Sequence, residues 1–373
     1  MKVCLLTNDY PPIRAGISVY MKGLSEGFSA LGHHCCVIFL PVNAHMAAGY
    51  ENVITIPVSG QRTFTRVLRC WRALRKVVSC IKECHLIVVS AWSPTGIAYA
   101  FGFPPGPGQK SVLLAHGNEI LEPSGSPIHR ILMRQVFRRF DIVVSNSQYT
   151  AGLCNRIANT KAVPIGAGVG RMILNGMAKR SRLIPGEANE PFTLLSVGRL
   201  IERKGFHLVI RSLALISDEI PEWRYIIVGS GPYETTLRQL IEETRLGHRV
   251  SFLKDIETPE LLGVYQSADV FVMPSREIPE EGEVEGLGLV YMEAGAAALP
   301  CIAGNSGGVP DVISHGINGL MVNPLSTQEI SQAILKLYRD KELRQELGAN
   351  GRSLAESEWT WSKVAQRLIE ATR

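Results

Sequence analysis

The segment EGLGLVYME, residues 285–293, stands between a short apolar run and the apolar pattern of a helix. Its glycines, Gly286 and Gly288, place backbone N–H groups at the predicted helix start, where an anion is favoured. Glu285 precedes the helix and Glu293 lies about one turn inside it, so both can face one bound molecule. Each glutamate alone is more simply a solvent-facing or capping residue. Together with the glycines, the pair predicts a site for an anionic ligand that carries hydroxyl groups.

The sequence on both sides of this segment alternates short apolar runs with longer amphipathic stretches, which is typical of parallel sheets covered by helices. In the second half we predict strands at Thr193–Val197, Tyr225–Val228, Val250–Leu253, Val270–Met273 and Cys301–Ala303, and helices at Phe206–Ser217, Tyr233–Thr244, Pro259–Ser267, Leu289–Ala298, Thr327–Asp340, Glu342–Glu358 and Trp361–Ala371. In the first half we predict strands at Val3–Thr7, Cys36–Leu40, Val53–Ile56, Leu86–Ser90, Val112–Ala115 and Ile142–Ser145, and helices at Ser18–Leu31, Phe64–Ile81 and Ile128–Phe140.

A stretch rich in Gly, Ala, Asn and basic residues interrupts this alternation at Ile165–Pro191 and is predicted to be an interdomain linker. The chain of 373 residues suits two domains. We therefore predict an α/β fold of two doubly wound, Rossmann-like domains, at residues 1–171 and 172–358. Ligands of such sheets bind at the carboxyl ends of the strands, and with two domains the cleft between them is the expected site.

Composition narrows the function classes. Residues 1–171 hold 18 Lys and Arg against 7 Asp and Glu, whereas the remainder holds 21 against 27, so the first half favours an anionic partner. The sequence has no apolar run long enough to span a bilayer and no secretory signal, which predicts a cytoplasmic protein. The eight cysteines include no C-x-x-C pair, so we expect reduced, packed thiols and no zinc site.

Two further glycine turns follow predicted strands of the second half. After Val197 come Gly198, Arg199 and Lys204, whose guanidinium and ammonium groups can hold a diphosphate. Taken alone, these cations are more simply a solvated basic turn. After Val228 comes Gly229-Ser230-Gly231, but Glu234 stands where a dinucleotide-binding fingerprint needs its third glycine, so the NAD signal is weak.

These residues together resemble the retaining glycosyltransferase family known as group 1 or family 4, which has the GT-B fold and the E-x7-E motif seen here as Glu285 and Glu293. The resemblance covers essentially the whole chain. It includes the Gly198–Gly205 turn, the loop Asn8–Gly16, His116 after a strand, and Ser306–Asp311. Ala15 departs from the pattern, which usually has glycine there. The tail, residues 359–373, resembles a helix that returns to the first domain.

The resemblance implies a role for each residue. His116, Glu285, Arg199 and Lys204 would be catalytic, with Glu285 binding donor-sugar hydroxyls and the two cations stabilising the diphosphate. Glu293 would bind the ribose and Lys254 would lie near the nucleobase. The remaining donor-binding residues would be Gly16, Gly198, Gly231, Gly286, Leu287, Gly288, Leu289 and Val290. No Asp-x-Asp motif occurs, so we expect no metal and no cofactor apart from the nucleotide-sugar co-substrate.

The sequence gives less specific evidence about which donor and which acceptor the protein uses. The segment around residues 283–293 is most similar to mannosyltransferases that modify phosphatidylinositol lipids, which suggests GDP-mannose, although the same motif serves UDP-sugars. Two basic amphipathic stretches, one over Arg62–Lys82 and one with Arg130, Arg134, Arg138 and Arg139, are consistent with ordinary surface helices or with a peripheral contact to anionic membrane. We expect a glycan or lipid-linked acceptor and no nucleic acid.

Three other readings stay open from the sequence: an NAD-dependent Rossmann oxidoreductase, a basic nucleic-acid binder, and a non-catalytic lipid-binding relative. The incomplete glycine fingerprint argues against the first. The acidic second half argues against the second, and the joint presence of His116, Arg199, Lys204, Glu285 and Glu293 argues against the third.

Overall fold

The computed structural model describes residues 1–13, 15–42, 49–59, 63–121, 126–177 and 191–373. The chain forms two compact units. The first comprises Met1–Gly168 together with Thr360–Arg373, and the second comprises Val169–Trp359. In the described residues, no helix combines the length and the hydropathy that crossing a bilayer requires.

The first unit is a parallel sheet of seven strands in the order β3-β2-β1-β4-β5-β6-β7. Its strands are β1 Lys2–Thr7, β2 His34–Phe39, β3 Val53–Thr55, β4 Leu86–Ser90, β5 Lys110–Ala115, β6 Ile142–Ser145 and β7 Ala162–Pro164. Its helices are α1 Gly16–Ala30, α2 Thr63–Lys76, α3 Val78–Lys82, α4 Ile97–Gly102, α5 Asn118–Leu121, α6 Pro127–Phe137, α7 Gln148–Leu153 and, from the C-terminus, α15 Trp361–Ala371. The central strands are buried along almost their whole length, as strands covered on both faces must be.

The C-terminal helix α15 belongs to the first unit because it packs closely on α1. A Cβ at Gly23 would lie 2.0 Å from Cε2 of Trp361, and one at Gly27 would lie 2.2 Å from the Trp361 carbonyl oxygen. Glycine at these two positions of α1 therefore leaves the space that the indole ring and its backbone occupy.

The second unit is a parallel sheet of six strands in the order β10-β9-β8-β11-β12-β13. Its strands are β8 Phe192–Val197, β9 Trp223–Val228, β10 Val250–Leu253, β11 Val270–Met273, β12 Cys301–Gly304 and β13 Gly319–Val322. Its helices are α8 Arg171–Met177, α9 Phe206–Leu215, α10 Glu234–Glu243, α11 Thr258–Ser267, α12 Leu289–Ala296, α13 Thr327–Arg339 and α14 Lys341–Ser357, with 3-10 turns at Glu202–Lys204, Pro279–Glu281 and Val309–Asp311.

Each sheet has a switch in strand order, which is where doubly wound sheets open a crevice for ligands. In the first unit β1 lies between β2 and β4, and in the second unit β8 lies between β9 and β11. The predicted fold class is thus confirmed, and the carboxyl ends of β1, β4, β8 and β11 are where the predicted ligand-binding residues should be sought.

Three sequence predictions need correction. The predicted linker Ile165–Pro191 contains a helix, α8, which seats closely on α11 because Gly176 faces the Leu262 side chain; residues 178–190 of that prediction lie outside the described residues. The single helix predicted at Phe64–Ile81 is broken at Val77, where two adjacent β-branched residues lower the helix propensity. Strand β7 ends at Pro164 and β13 begins at Gly319, residue types that are depleted in strands, and neither strand was predicted.

Candidate active site

A buried ionic cluster lies at the carboxyl ends of β8 and β11 in the second unit. The Glu285 carboxylate accepts hydrogen bonds from Lys204 Nζ at 2.5 Å and from Arg203 Nη1 at 3.0 Å. Ser275 Oγ lies 3.4 Å from the same carboxylate oxygen. The side chains of all three charged residues are only 11% exposed. The Glu283 carboxylate lies 3.5 Å from Arg203 Nε and forms the more exposed side of the cluster.

The turn after β8 directs the side chains of two consecutive residues, Arg203 and Lys204, toward the interior of the second unit. Residues 202–204 form a 3-10 turn that ends at Gly205, whose φ of +76° is a left-handed conformation that glycine adopts without strain. A Cβ at Gly205 would also lie 2.4 Å from the Pro274 carbonyl oxygen. Glycine at this position therefore lets the turn pack against the end of β11, which carries Ser275 toward Glu285.

Opposing effects set the charges in this cluster. Burial raises the pKa of the Glu285 carboxyl, but the nearby Lys204 and Arg203 charges outweigh burial and bring the pKa down to about 2. Burial lowers the pKa of the Lys204 ammonium, an effect that Glu285 opposes. Glu285 is therefore an ionised hydrogen-bond acceptor at neutral pH, and it is unsuited to donating a proton.

The predicted glycine-rich helix start is present. Helix α12 begins at Leu289, and Gly288 precedes it with a φ of +90°. Two further glycines, Gly307 and Gly308, pack closely against this turn. A Cβ at Gly307 would lie 2.4 Å from the Glu285 carbonyl oxygen, and a Cβ at Gly308 would lie 2.0 Å from the Gly286 carbonyl oxygen. The stretch 306–311, singled out in the sequence, thus supports the Glu285 turn through backbone contact, including Gly308 N–H to Glu285 O at 2.8 Å.

Other donor-binding predictions fall along the same turn and the neighbouring loops. Leu287 is buried, whereas Leu289 and Val290 are half-buried in the first turn of α12. Gly198 and Gly231 lie in loops that stack closely, since a Cβ at Gly231 would lie 2.3 Å from the Leu200 carbonyl oxygen. Gly198 also lies beside Lys204, whose Cε would be 3.7 Å from an added Cβ.

The second glutamate of the motif has different partners. Glu293 accepts a hydrogen bond from the Tyr265 hydroxyl at 2.9 Å, and Tyr265 is fully buried on α11. Burial raises the pKa of the Glu293 carboxyl to about 7, against the opposing effect of the Tyr265 hydrogen bond. The structure therefore gives the two motif glutamates separate sets of partners and distinct protonation behaviour.

Two predicted cations lie outside the ionic cluster. Arg199 is exposed at the end of β8, and Lys254 is exposed and pairs with Glu234 at 2.7 Å. Arg203, which the sequence analysis assigned no role, takes the buried place beside Glu285. The only sequence signal for it was its position next to Lys204 in a turn that follows a buried strand.

The first unit places His116 directly after β5. His116 Nε2 is 2.9 Å from the Ser90 hydroxyl at the end of β4, and the Tyr20 ring packs edge-on at 5.3 Å between centroids. The His116 carbonyl oxygen accepts from Asn146 Nδ2 at 3.0 Å. Burial lowers the pKa of the imidazole to about 4, so His116 is neutral at physiological pH.

A buried carboxyl holds the His116 turn. Glu119 accepts a hydrogen bond from the His116 backbone N–H at 2.5 Å, and burial raises the Glu119 pKa to about 7 despite such backbone hydrogen bonds. Glu119, Ser90 and Tyr20 were not predicted as site residues, because their contacts join segments that are distant in sequence. Gly16 is exposed and begins α1; of the loop Asn8–Gly16, residue 14 lies outside the described residues.

A polar cavity of about 370 Å³ lies in the second unit, beyond the ends of β11, β12 and β13. Its walls include Arg276, Asn305, Ser306, Gly307 and Asn323. Ser306 and Gly307 belong to the loop that supports Glu285, so the cavity is continuous with the turn that carries the predicted donor residues.

Comparison with known proteins identifies this arrangement of motifs. The family described as glycosyl transferases group 1 matches residues 178–354, and the family described as glycosyltransferase family 4 matches residues 14–169. A GDP-mannose-dependent alpha-(1-6)-phosphatidylinositol monomannoside mannosyltransferase from Mycobacterium tuberculosis is 30% identical, over 100% of this chain and 98% of that protein. The chain belongs to the group 1, family 4 glycosyltransferases. A Corynebacterium glutamicum GDP-mannose-dependent monoacylated alpha-(1-6)-phosphatidylinositol monomannoside mannosyltransferase is 29% identical, over 98% of this chain and 96% of that protein.

Solved structures agree on the fold of this glycosyltransferase. Sucrose-phosphate synthase from Thermosynechococcus elongatus superposes with a TM-score of 0.79 at 21% identity, covering 99% of this chain and 97% of that one. Anabaena HepE in complex with UDP gives 0.76 at 21% identity, covering 99% of each. The GT-B fold class is confirmed, and family membership makes the chain a hexosyltransferase and rejects the NAD-dependent alternative.

Proposed function

We propose that this glycosyltransferase moves mannose from GDP-mannose to a phosphatidylinositol-type glycolipid, with retention of anomeric configuration and without a divalent metal. The observation that carries the transfer chemistry is the buried cluster of Lys204, Arg203 and Glu285 at the strand-order switch of the second unit. The names of the relatives, similar over nearly the full length, support the donor and acceptor.

Transfer breaks the bond between the anomeric carbon and a phosphate oxygen, so negative charge grows on the leaving diphosphate. Fixed cations stabilise such charge best where water is excluded. Lys204 and Arg203 are fixed by Glu285 before any ligand binds, and Arg199 adds an exposed guanidinium at the same strand end. The lack of an Asp-x-Asp motif in the sequence, together with these cations, supports metal-independent transfer.

The carboxylates are assigned to hydroxyl groups. Glu285 is ionised and can accept hydrogen bonds from sugar hydroxyls while it holds the two cations. Glu293 already accepts from the Tyr265 hydroxyl and has capacity for a ribose hydroxyl on its other oxygen. The first unit contributes His116 as a neutral imidazole, which would contact an uncharged sugar without adding charge near an oxocarbenium-like transition state.

An exposed apolar and basic surface of the first unit supports a lipid acceptor. Helices α2, α4 and α6 are neighbours, and they expose Phe64 (79%), Phe101 (50%), Ile128 (78%) and Ile131 (60%). Around them stand the exposed cations Arg69, Arg72, Arg75, Lys76, Arg130, Arg138 and Arg139, whereas Arg134 is half-buried and Arg62 lies outside the described residues. Apolar side chains ringed by cations suit peripheral binding to an anionic membrane.

The donor is tested by calorimetric titration of GDP-mannose, UDP-glucose, UDP-N-acetylglucosamine and NAD, with and without EDTA. We expect binding of GDP-mannose alone, unchanged by EDTA, and its loss in Glu285→Gln. The control Lys341→Ala removes an exposed charge from α14 and should bind like the wild type. Preference for a UDP-sugar would overturn the donor assignment, and loss of binding or turnover with EDTA would overturn metal independence.

The stereochemistry and the acceptor need separate measurements. The one-bond C1–H1 coupling of the transferred mannose in the NMR spectrum of the product should show the same α configuration as in the donor. A β product would contradict retention. Vesicles containing phosphatidylinositol should bind the protein in a salt-sensitive manner. Binding should weaken in Phe64→Ala and Ile128→Ala but not in Leu215→Ala, an equally apolar exposed residue of the second unit.

A further inference from the structure

Four cysteines that are distant in sequence meet near the amino-terminal edge of the sheet in the first unit. Cys4 on β1 and Cys36 on β2 are direct partners in the parallel register, so their side chains point to the same face of the sheet. Cys80 lies on α3, and Cys84 follows that helix four residues later, close to the same helix face. Helix α3 and the residues that follow it therefore bring two thiols close to the two thiols of the sheet.

Three of the sulfur atoms are close enough to share one ligand, and the fourth, that of Cys80, lies against Cys36. Cys36 Sγ is 3.8 Å from Cys80 Sγ and 4.0 Å from Cys84 Sγ. The sulfurs of Cys4, Cys36 and Cys84 all lie within 4.8 Å of one another. All four cysteines are free thiols, so none of these distances reflects a disulfide.

The two distances from Cys36 Sγ, 3.8 Å to Cys80 and 4.0 Å to Cys84, are close to the edge of a metal-centred tetrahedron. Zinc–thiolate bonds of about 2.3 Å place sulfurs about 3.8 Å apart at the tetrahedral angle. The three-residue gap between Cys80 and Cys84 falls within the ligand spacing usual for structural zinc sites. Ordinary core packing explains single buried cysteines, but it gives no reason for three thiols to converge with a fourth in contact with one of them.

The cluster has an entry path. A cavity of about 480 Å³ is lined by Cys36, Cys80 and Cys84 together with Lys2 and Glu83. Cys4 forms the fully buried end of the cluster, while Cys36 and Cys80 are half-buried and reachable from the cavity. An ion can therefore arrive from solvent, and the ammonium of Lys2 stands near the negative charge that four thiolates around Zn²⁺ would leave.

We propose that Cys4, Cys36 and Cys84, joined by Cys80 after rotation of its side chain, bind one Zn²⁺ as a structural tetrathiolate site. Binding replaces the four thiol protons, which are released to solvent, and it involves no change of oxidation state. The site joins β1, β2 and α3, whereas His116 follows the carboxyl end of β5. The metal therefore stabilises the first unit and leaves the transfer chemistry to other residues, so the inference is independent of the donor and acceptor proposed above.

The test starts with the full-length protein, purified under reducing conditions and dialysed against buffer that contains zinc and then against metal-free buffer. Elemental analysis should find about one zinc per chain. Replacement by Co²⁺ should give the intense sulfur-to-metal charge-transfer absorption and the visible bands of a tetrahedral thiolate site. This spectrum needs no variant and so does not depend on variants that fold poorly.

The variants Cys36→Ser, Cys84→Ser and the less buried Cys80→Ser should each lose retained zinc and the cobalt spectrum. The matched control is Cys35→Ser, because Cys35 is the neighbouring residue of β2 and points to the opposite face. Removing zinc from the wild type should lower Tm while leaving the Kd for the sugar nucleotide unchanged. Absence of zinc from the reduced protein, equal zinc in all variants, or a disulfide found among these cysteines by mass spectrometry under the same conditions would overturn the proposal.

Discussion

The residues at the carboxyl ends of the strands differ in charge between the two units, although both sheets are parallel and doubly wound. In the second unit the ends of β8 and β11 hold Lys204, Arg203 and the ionised Glu285. In the first unit the ends of β4 and β5 hold a neutral His116 and Ser90, with a weakly acidic Glu119 beneath them. The same topology thus carries an ionic cluster in one unit and neutral groups in the other, and the residues of the loops after the strands determine which.

The largest effect should come from removing the anion of the ionic cluster. Glu285→Ala leaves the buried Lys204 without its carboxylate and Arg203 with only the more exposed Glu283. We therefore expect the free energy of unfolding to fall by about 3–5 kcal/mol and kcat to fall by at least about 100-fold. Urea-induced unfolding at pH 7 and initial rates measure the two effects. Glu283→Ala, at the more exposed side of the cluster, is the control, and an equal loss of stability there would refute the special place of Glu285.

Comparing the buried and the exposed cation of the same strand end should separate folding from binding. Lys204→Ala should lower kcat by about 10²–10³ and also change stability, because it breaks the buried pair. Arg199→Ala should change the unfolding free energy by no more than about 0.5 kcal/mol, yet raise the Kd of the donor by about tenfold to a hundredfold. If Arg199→Ala bound the donor normally, the predicted diphosphate contact would be wrong.

The neutral site of the first unit should show itself in pH dependence. The folded-state pKa of Glu119, about 7, exceeds its ordinary value, so its stabilising contribution is complete at low pH and is lost as pH rises from about 4.5 to 7. His116 has the opposite sign. Its folded-state pKa of about 4 lies below the ordinary value, so stability is lost as pH falls from about 6.5 to 4.

Glu119→Gln should therefore gain stability relative to wild type between pH 5 and pH 7.5, by about 2–3 kcal/mol. Urea unfolding at the two pH values measures the gain. The exposed Glu51→Gln in the same unit should show no such change. A pH-independent difference between Glu119→Gln and wild type would mean that burial does not perturb this carboxyl.

The smallest effect should come from the exposed Lys254, which pairs with the half-buried Glu234 in the second unit. Exposed ion pairs contribute little because solvent screens them. We expect Lys254→Ala to leave Tm unchanged within error and to alter the Kd for the donor by less than about threefold. A larger loss of donor affinity would support the nucleobase contact that the family resemblance implies, and would narrow the contrast with the buried cluster.

Most of the fold could be predicted from the sequence because local patterns of apolar and polar residues mark its strands and helices. Apolar runs such as Leu86–Ser90 mark strands that are buried on both faces, and Trp361–Ala371 has the bounds of the observed helix. The glycines before α12 also follow from local chemistry, since Gly288 has a left-handed φ and precedes the helix. Strands β7 and β13 and helix α8 were not predicted. Helix α8 lies in a stretch rich in glycine and basic residues, and it packs on α11 through Gly176 and Leu262, a contact that its local sequence does not show.

The sequence by itself indicated the family, the two sheets and the motif residues Glu285, Lys204 and His116. Lys204 and His116 follow strands closely, and Glu285 directly precedes the glycine-rich start of a helix. Only the tertiary structure decided that Arg203 rather than Arg199 joins Glu285, since a turn can aim either cation inward. It alone brought four cysteines together through the register of β1 with β2 and the packing of α3. Such contacts join residues up to 82 positions apart, and local sequence patterns do not show which distant segments come into contact.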